Sequence, residues 1–310
     1  MTQVQRPHAA REAAADLEGR VPTLPAGRTL DLAGRGQAFV REVPGPEGAP
    51  TLVLLHGWTA TSDLNWFTTI NDLGQRYRVL AFDHRGHGRG IRTSDRFRLA
   101  DCADDVVALA DELGIEQVIP VGYSMGGAVA QLVAHRHPDR TAGLVMCATA
   151  RTFTGAPRHE ALVRLAYGFS QALRLAPEPM RIRLSKQIVA RRVDDSPIRE
   201  WADAELRQND VRMLAEGGVA LARFTSNAWL GQIDVPAAVV VMTRDRMVPT
   251  RRQVKLATRL PGATIHEVDG EHSACVLQPD EFRAALLEAV ASVTARKAWL
   301  DAVAAPQATD

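Results

Sequence analysis

The segment VIPVGYSMGGAVA, residues 118–130, joins an apolar run to a run of small and apolar residues through the turn Gly-x-Ser-x-Gly-Gly. Glycines at positions 122 and 126 remove the Cβ atoms that would collide with a neighbouring strand and helix. Ser124, between them, is then forced into a strained and exposed position at the carboxyl end of a strand. Because ligands bind at that end of open α/β sheets, this serine is a candidate functional residue.

Further apolar runs without alternation predict strands that are buried on both faces of a sheet. They are residues 51–55, 77–82, 117–121, 143–147, 237–242 and 264–268, preceded by a short hairpin at 28–32 and 37–43. Stretches with helical periodicity lie between or after them, at 99–113, 125–135, 251–260 and 281–298. This alternation predicts an α/β fold with a mostly parallel sheet that is covered by helices on both faces.

One long segment, 151–230, breaks the alternation because it contains no convincing strand. Helical patterns occur there near 158–175, 180–192 and 197–216, with prolines between them. We interpret 151–230 as a helical cap, or lid, inserted into a core that is formed by 28–150 and 231–300. Residues 1–27 are interpreted as an N-terminal tail with a short helix around 8–18.

Composition excludes several classes of function. The chain has 310 residues, of which 46% are hydrophobic and 24% charged, and this is typical of a soluble globular protein. A formal net charge of +1 gives no overall field to attract nucleic acid. No apolar run approaches the roughly 20 residues that a membrane span needs, and three cysteines are too few for a disulfide framework. The N-terminus lacks a hydrophobic signal segment, so we expect a cytoplasmic protein; the sequence does not indicate its oligomeric state.

Serine is a weak nucleophile and needs a base, which in turn needs an orienting acid. Among nine histidines, His272 is the candidate base, because its loop follows the last predicted strand on the same rim as Ser124. Asp245 is the candidate acid, since it follows the apolar run 237–242. Two alternatives stay open: Asp245 as a surface or helix-capping carboxylate paired with a neighbouring arginine, and Asp269 as a rival acid with a poorer orienting geometry.

Main-chain N–H groups near this serine are candidates for stabilising an oxyanion. Met125 begins a helix, where unpaired N–H groups and the helix dipole favour negative charge. Trp58, in the loop after residues 51–55, supplies the second candidate N–H. The side chains of Trp58 and Tyr123 are candidate walls of a substrate pocket, and core packing is the alternative for both.

Together these motifs resemble those of the α/β-hydrolase superfamily, from about residue 28 to about residue 300. The residues that carry the resemblance are His56-Gly57-Trp58, the loop DHRGHG at 83–88, the turn at 122–127, Asp245 with Val248-Pro249, and His272. The resemblance implies an eight-stranded, mostly parallel sheet with a helical cap between strands six and seven. It also implies a triad of Ser124, Asp245 and His272, an oxyanion hole formed by Trp58 and Met125, a largely structural role for the 83–88 loop, and no cofactor or metal.

A serine at the turn disfavours the dehalogenases and epoxide hydrolases of similar architecture, which use aspartate there. We therefore expect an esterase or lipase-like hydrolase that acts on a small-molecule ester with a small or medium hydrophobic acyl group, through an acyl-enzyme. Thioesterase, lactonase, C–C bond hydrolase, acyltransferase and cofactor-free perhydrolase remain alternatives, because they share the triad. A ligand-binding receptor of this fold is the non-enzyme alternative.

Overall fold

The computed structural model describes residues 22–154, 167–177, 180 and 198–304. Eight strands form one sheet in the order β1-β2-β4-β3-β5-β6-β7-β8. They are β1 (Gly27–Leu32), β2 (Gly36–Val43), β3 (Thr51–Leu55), β4 (Arg78–Phe82), β5 (Ile119–Tyr123), β6 (Leu144–Cys147), β7 (Ala237–Met242) and β8 (Thr264–Val268). β2 pairs antiparallel with β1 and with β4, and all other neighbouring strands pair in parallel. The predicted fold class, an eight-stranded and mostly parallel α/β sheet, is confirmed.

Helices pack on both faces of the sheet, as the alternation predicted. They are α1 (Ser62–Trp66), α2 (Ile70–Gly74), α3 (Leu99–Glu112), α4 (Met125–Arg136), α5 (Arg199–Arg207), α6 (Val211–Arg223), α7 (Thr250–Ala257), α8 (Ala274–Leu277) and α9 (Pro279–Ala304). One core cluster joins α3, α4, α6 and α7 to one face of the sheet. A second cluster joins α1, α2, α8 and α9 to the opposite face. Strands β3, β5, β6 and β7 are buried along their whole length, which explains why their sequences are continuously apolar.

The strand predictions for 51–55, 237–242 and 264–268 agree with β3, β7 and β8 at both ends. Strand β5 begins and ends two residues later than the predicted strand 117–121, so that it leads directly into Ser124. Helices α1 and α2 were not predicted, because five residues are too few to show a helical period.

In its described parts, the segment between β6 and β7 is helical at 167–175, Arg199–Arg207 and Val211–Arg223, and the only strand-like pairing in these described parts is an isolated bridge between Thr152 and Thr225. The single helix predicted near 197–216 is wrong: the chain forms α5 and α6, separated at residues 208–210. The break occurs because the Asp210 carboxylate accepts the N–H groups of Arg212 and Met213 and starts a new helix.

The predicted helix at 8–18, residues 181–192 of the one at 180–192, and half of the one near 158–175 lie outside the described residues. The division of the chain into tail, core and cap stays a prediction. In the part of the chain that the structure covers, no helix combines the length and the apolar character that crossing a membrane requires.

Candidate active site

The Gly-x-Ser-x-Gly turn connects β5 directly to α4, and Ser124 lies at the connection with φ 53° and ψ −111°. A Cβ atom on Gly122 would overlap the carbonyl oxygen of Gly126, and one on Gly126 would overlap the carbonyl oxygen of Leu55. Both glycines are therefore required by close backbone approach. The turn holds Ser124 in a backbone conformation that non-glycine residues rarely adopt.

Three loops bring the predicted serine, histidine and aspartate together at the carboxyl edge of the sheet. The Nε2 atom of His272 lies 3.0 Å from Ser124 Oγ. The Nδ1 atom of the same ring lies 2.7 Å from Oδ2 of Asp245. Ser124 and Asp245 are buried, and the His272 side chain is partly exposed. A hydroxyl, an imidazole and a carboxylate are thus joined by hydrogen bonds in that order.

Both carboxylate oxygens of Asp245 have hydrogen-bond partners in the protein. Its Oδ1 atom accepts hydrogen bonds of 2.8 Å from the N–H groups of Met247 and Val248. The surface ion pair considered as its alternative is absent among the described residues, because Arg244 instead pairs with Asp269. Asp269 is exposed and lies against Thr243 and Arg244, so Asp245 is the carboxylate that contacts the histidine.

Gln253 is a residue of this site that the sequence analysis missed. Its side chain is buried on α7 and donates a hydrogen bond of 3.0 Å to Asp245 Oδ2. The same amide donates to the Val248 carbonyl and accepts from the Met242 N–H. The sequence does contain a signal for Gln253: it falls on a face of the helical pattern whose other residues, Leu256 and Ala257, are apolar. A buried amide needs polar partners.

Tyr123 occupies a different place from the predicted one. Its side chain is buried in the core against Trp66 and Phe282, on the α9 side of the sheet. Burial raises the pKa of the phenol well above its ordinary value, so the hydroxyl stays protonated. That hydroxyl donates a hydrogen bond of 2.7 Å to the main-chain oxygen of His272. The assignment of Tyr123 as a pocket wall is therefore corrected: it packs in the core and supports the histidine loop.

The loop with the predicted oxyanion donor lies against the serine. A Cβ atom on Gly57 would be 3.5 Å from Ser124 Cβ. The Gly57 N–H donates a 2.9 Å hydrogen bond to the side chain of Asn65, which the sequence analysis also missed. The indole Nε1 of Trp58 donates to the carbonyl of Leu214 on α6 at 2.8 Å. Met125, the other predicted donor, is the first residue of α4, so its N–H has no acceptor one turn earlier in the helix.

The DHRGHG loop, residues 83–88, packs against His56, two residues before Trp58. His56 accepts a 3.0 Å hydrogen bond from the His84 N–H, and its Nδ1 lies 2.8 Å from the Gly57 oxygen. His84 and His87 are completely buried. Burial lowers the pKa of both imidazoles, that of His87 to about 3, so they are neutral at pH 7. Arg85 makes two hydrogen bonds to Asp105, in keeping with a structural role for this loop.

In the described ranges, no three or more histidine, cysteine, aspartate or glutamate side chains converge in a way that could hold a metal ion. An imidazole held by a carboxylate can take a proton from an adjacent hydroxyl and make its oxygen nucleophilic.

The sequence and the fold are similar to those of known hydrolases. The sequence pattern of the alpha/beta hydrolase fold matches residues 50–279. Over 261 residues the chain is 30% identical to "Putative carbamate hydrolase RutD" from Caulobacter sp. strain K31, covering 78% of this chain and 91% of that protein.

Two solved structures share the fold at low sequence identity. The enol-lactonase from Burkholderia xenovorans LB400 superposes with a TM-score of 0.70 at 22% identity and covers 85% of this chain and 100% of its own. A thermophilic esterase from Thermogutta terrifontis superposes with a TM-score of 0.68 at 22% identity and covers 86% of this chain and 99% of its own. The family pattern over residues 50–279, together with the relative from Caulobacter, shows that the chain belongs to the α/β-hydrolase family.

Proposed function

We propose that this protein is a serine hydrolase that cleaves small-molecule carboxylic esters through an acyl-enzyme. The observation that carries the proposal is the hydrogen-bonded chain from Ser124 Oγ to His272 Nε2, and from His272 Nδ1 to Asp245 Oδ2. In this assignment Ser124 is the nucleophile, His272 the general base and Asp245 the orienting acid.

In the first step, His272 Nε2 takes the proton of the Ser124 hydroxyl as its oxygen attacks the acyl carbon. The carbonyl oxygen becomes an oxyanion, which the N–H groups of Trp58 and Met125 stabilise. One such donor contributes about 3 kcal/mol to transition-state stabilisation in comparable sites. The imidazolium then gives its proton to the leaving alcohol, and the acyl group remains bound to the serine.

In the second step, water replaces the alcohol. His272 takes a proton from the water, the resulting hydroxide attacks the acyl-enzyme, and the carboxylic acid leaves as Ser124 regains its proton. Asp245 keeps the Nδ1–H of the imidazole oriented toward itself throughout. Its hydrogen bonds from Gln253 and two main-chain N–H groups support that role, because they fix the carboxylate in one position.

A carbamate is the second candidate substrate class. The same attack on the carbonyl applies when nitrogen replaces carbon next to it, and the relative from Caulobacter carries the name of a carbamate hydrolase. The other acyl substrates considered from the sequence use the same three side chains, so the substrate pocket distinguishes them. The cytoplasmic location and the hydrophobic acyl group stay predictions.

The deciding experiment compares nitrophenyl esters of graded acyl length with nitrophenyl carbamates. We expect turnover of esters by the wild type, a loss of about 10⁶-fold in kcat for Ser124→Ala, and no loss for Ser94→Ala, an exposed serine outside the site. A fluorophosphonate probe should label Ser124 alone. Faster turnover of carbamates would favour the second candidate. A wild type as inert as Ser124→Ala, together with tight binding of a ligand, would replace the enzyme proposal with the receptor alternative.

A further inference from the structure

A cavity lies apart from the hydrogen-bonded side chains of Ser124, His272 and Asp245. It has a volume of about 410 Å³ and is enclosed by residues 96–100 at the start of α3, by the helical segment 167–171 and by residues 216–224 of α6 and its C-terminal end. Its lining includes none of the four residues Ser124, Asp245, His272 and Trp58. Its volume falls in the range of small-molecule binding sites, about 300–1,000 Å³.

The floor of this cavity is apolar. Phe97, Leu99 and Val219 line it and are themselves at least nine-tenths buried. Ala220 lies next to Val219 on the same face of α6, and Phe224 follows at the end of that helix. Contact between this apolar floor and water is unfavourable. A ligand with a hydrocarbon or aromatic part would remove the floor from water, so such a ligand is favoured.

The rim of this cavity is cationic. Arg96, Arg98 and Arg223 line it, and none of them forms an ion pair with an acidic side chain in the described part of the chain. Among the described residues, Arg96 donates hydrogen bonds to the neutral groups Tyr167 Oη and Gln171 Oε1, at 3.3 and 3.4 Å. The guanidinium of Arg223 lies over the ring of Tyr167, 5.0 Å from its centroid. These guanidinium groups are available to an anion.

The one carboxylate in the lining does not offset this charge. Glu216 accepts a 2.8 Å hydrogen bond from the Phe97 N–H and pairs with Arg174 at 2.9 Å and with Arg212 at 3.3 Å. Both of these arginines lie outside the lining. The negative charge of Glu216 is thus balanced by Arg174 and Arg212, and not by the rim arginines.

We propose that this cavity binds an amphipathic carboxylate, a molecule of the fatty-acid type with one carboxylate and an apolar tail. The tail lies on the floor formed by Phe97, Leu99 and Val219. The carboxylate lies at the rim, where arginine guanidinium groups pair with carboxylates in a planar, two-point geometry. A neutral molecule with the same tail leaves the rim arginines without an anion, and a small inorganic anion leaves the floor uncovered. The proposal concerns binding and is independent of the reaction proposed above.

The test is calorimetric titration with decanoate as the anionic probe and decan-1-ol as its neutral counterpart. We expect the double variant Arg98→Gln/Arg223→Gln to raise the Kd of decanoate about tenfold or more, and to leave decan-1-ol binding nearly unchanged. Ala220→Trp, which fills the floor, should abolish binding of both probes. The matched control is Arg151→Gln/Arg251→Gln, which removes the same two charges from a separate cationic cleft and should leave the decanoate Kd unchanged.

Thermal unfolding of each variant checks that it is folded before its Kd is compared. An unchanged decanoate Kd in the Arg98→Gln/Arg223→Gln variant would overturn the proposal. So would an equal loss in the control variant, since that would show attraction by net charge alone. Displacement of decanoate by fluorophosphonate labelling of Ser124, with no effect of the rim or floor substitutions, would place the probe in the active site and would also overturn it.

Discussion

The edge of the sheet that carries Ser124 and the α5–α6 segment that lies over it differ in how closely their backbones are packed. The sheet edge rests on strands that are buried along their whole length, with glycine contacts so close that no Cβ atom fits. The α5–α6 segment packs the buried side chain of Met213 into a core cluster and adds individual polar bonds to the core. Three of these bonds are Trp58 Nε1 to the Leu214 carbonyl, Thr61 Oγ1 to Glu205 Oε2 at 3.0 Å, and the Gly88 N–H to Asn209 Oδ1 at 2.7 Å.

This difference has a functional consequence. The proposed nucleophile, base and acid all belong to the sheet edge, whereas Trp58, one proposed oxyanion donor, contacts both regions. Substitutions at the sheet edge should therefore remove the reaction or the fold, and substitutions in the α5–α6 contacts should weaken both by smaller amounts.

After the loss expected for Ser124→Ala, the largest expected effect is that of Asp245→Asn at the sheet edge. The amide keeps the size of the side chain but favours the wrong tautomer of His272, so kcat should fall by about 10⁴-fold with little change in the unfolding midpoint. Ester turnover and thermal unfolding measure the two effects. Asp269→Asn is the matched control, because Asp269 is an exposed carboxylate near His272 in sequence; a comparable loss of kcat there would transfer the orienting role to Asp269.

Next in size is the difference between Gly126→Ala and Gly218→Ala, one substitution in each region. At Gly126 the added methyl group meets the main-chain oxygen of Leu55, which cannot move without displacing β3, so we expect a loss of more than about 3 kcal/mol in the free energy of unfolding. At Gly218 it meets the Trp58 ring, which can shift, and alanine favours a helix over glycine by about 1 kcal/mol. The net change there should lie near zero. Urea unfolding that gave equal losses at both positions would contradict the comparison.

A smaller effect is expected for Asn209→Ala, which removes a contact between the two regions. The buried Asn209 side chain accepts from the Gly88 N–H and donates to the Thr59 carbonyl next to Trp58. Its loss removes the acceptor of the buried Gly88 N–H, at a cost of about 1–3 kcal/mol in unfolding free energy, and should also lower kcat/KM. Asn71→Ala, at an exposed asparagine, is the control and should change stability by less than about 0.5 kcal/mol.

The smallest effect concerns the pH dependence of stability. Burial lowers the pKa of His87 to about 3 in the folded protein, from an ordinary value near 6.5. Below pH 6.5 the unfolded chain therefore binds a proton at this residue that the folded protein does not, and the free energy of unfolding decreases as the pH falls toward 3. This one residue should account for about 1 kcal/mol between pH 6.5 and 5.5. Urea unfolding at both pH values should give a smaller decrease for His87→Gln than for wild type; equal decreases would contradict the assignment.

The core of the fold and the three central site residues follow from local sequence patterns. Strands β3 and β7 are continuous apolar runs, and a polar residue that follows such a run must lie at the carboxyl edge of a parallel sheet. Ser124 and Asp245 follow such runs, whereas His272 follows β8, an edge strand that is largely exposed. The predicted meeting of the three residues depends on strand direction, which the alternation of strands and helices determines, and on the order of the strands in the sheet, which the structure gives.

Tertiary structure alone decided the positions of the supporting residues. Gln253 binds Asp245, Asn65 binds the Gly57 N–H, and Tyr123 turns into the core to bind the His272 carbonyl, because each contacts a partner on another element of the fold. The break between α5 and α6 was likewise invisible to helical periodicity, since one helix cap at Asp210 outweighs an otherwise continuous pattern. Hydrophobic burial is visible in sequence because it repeats with the period of each element. A single hydrogen bond between distant residues has no period, so only the folded chain reveals it.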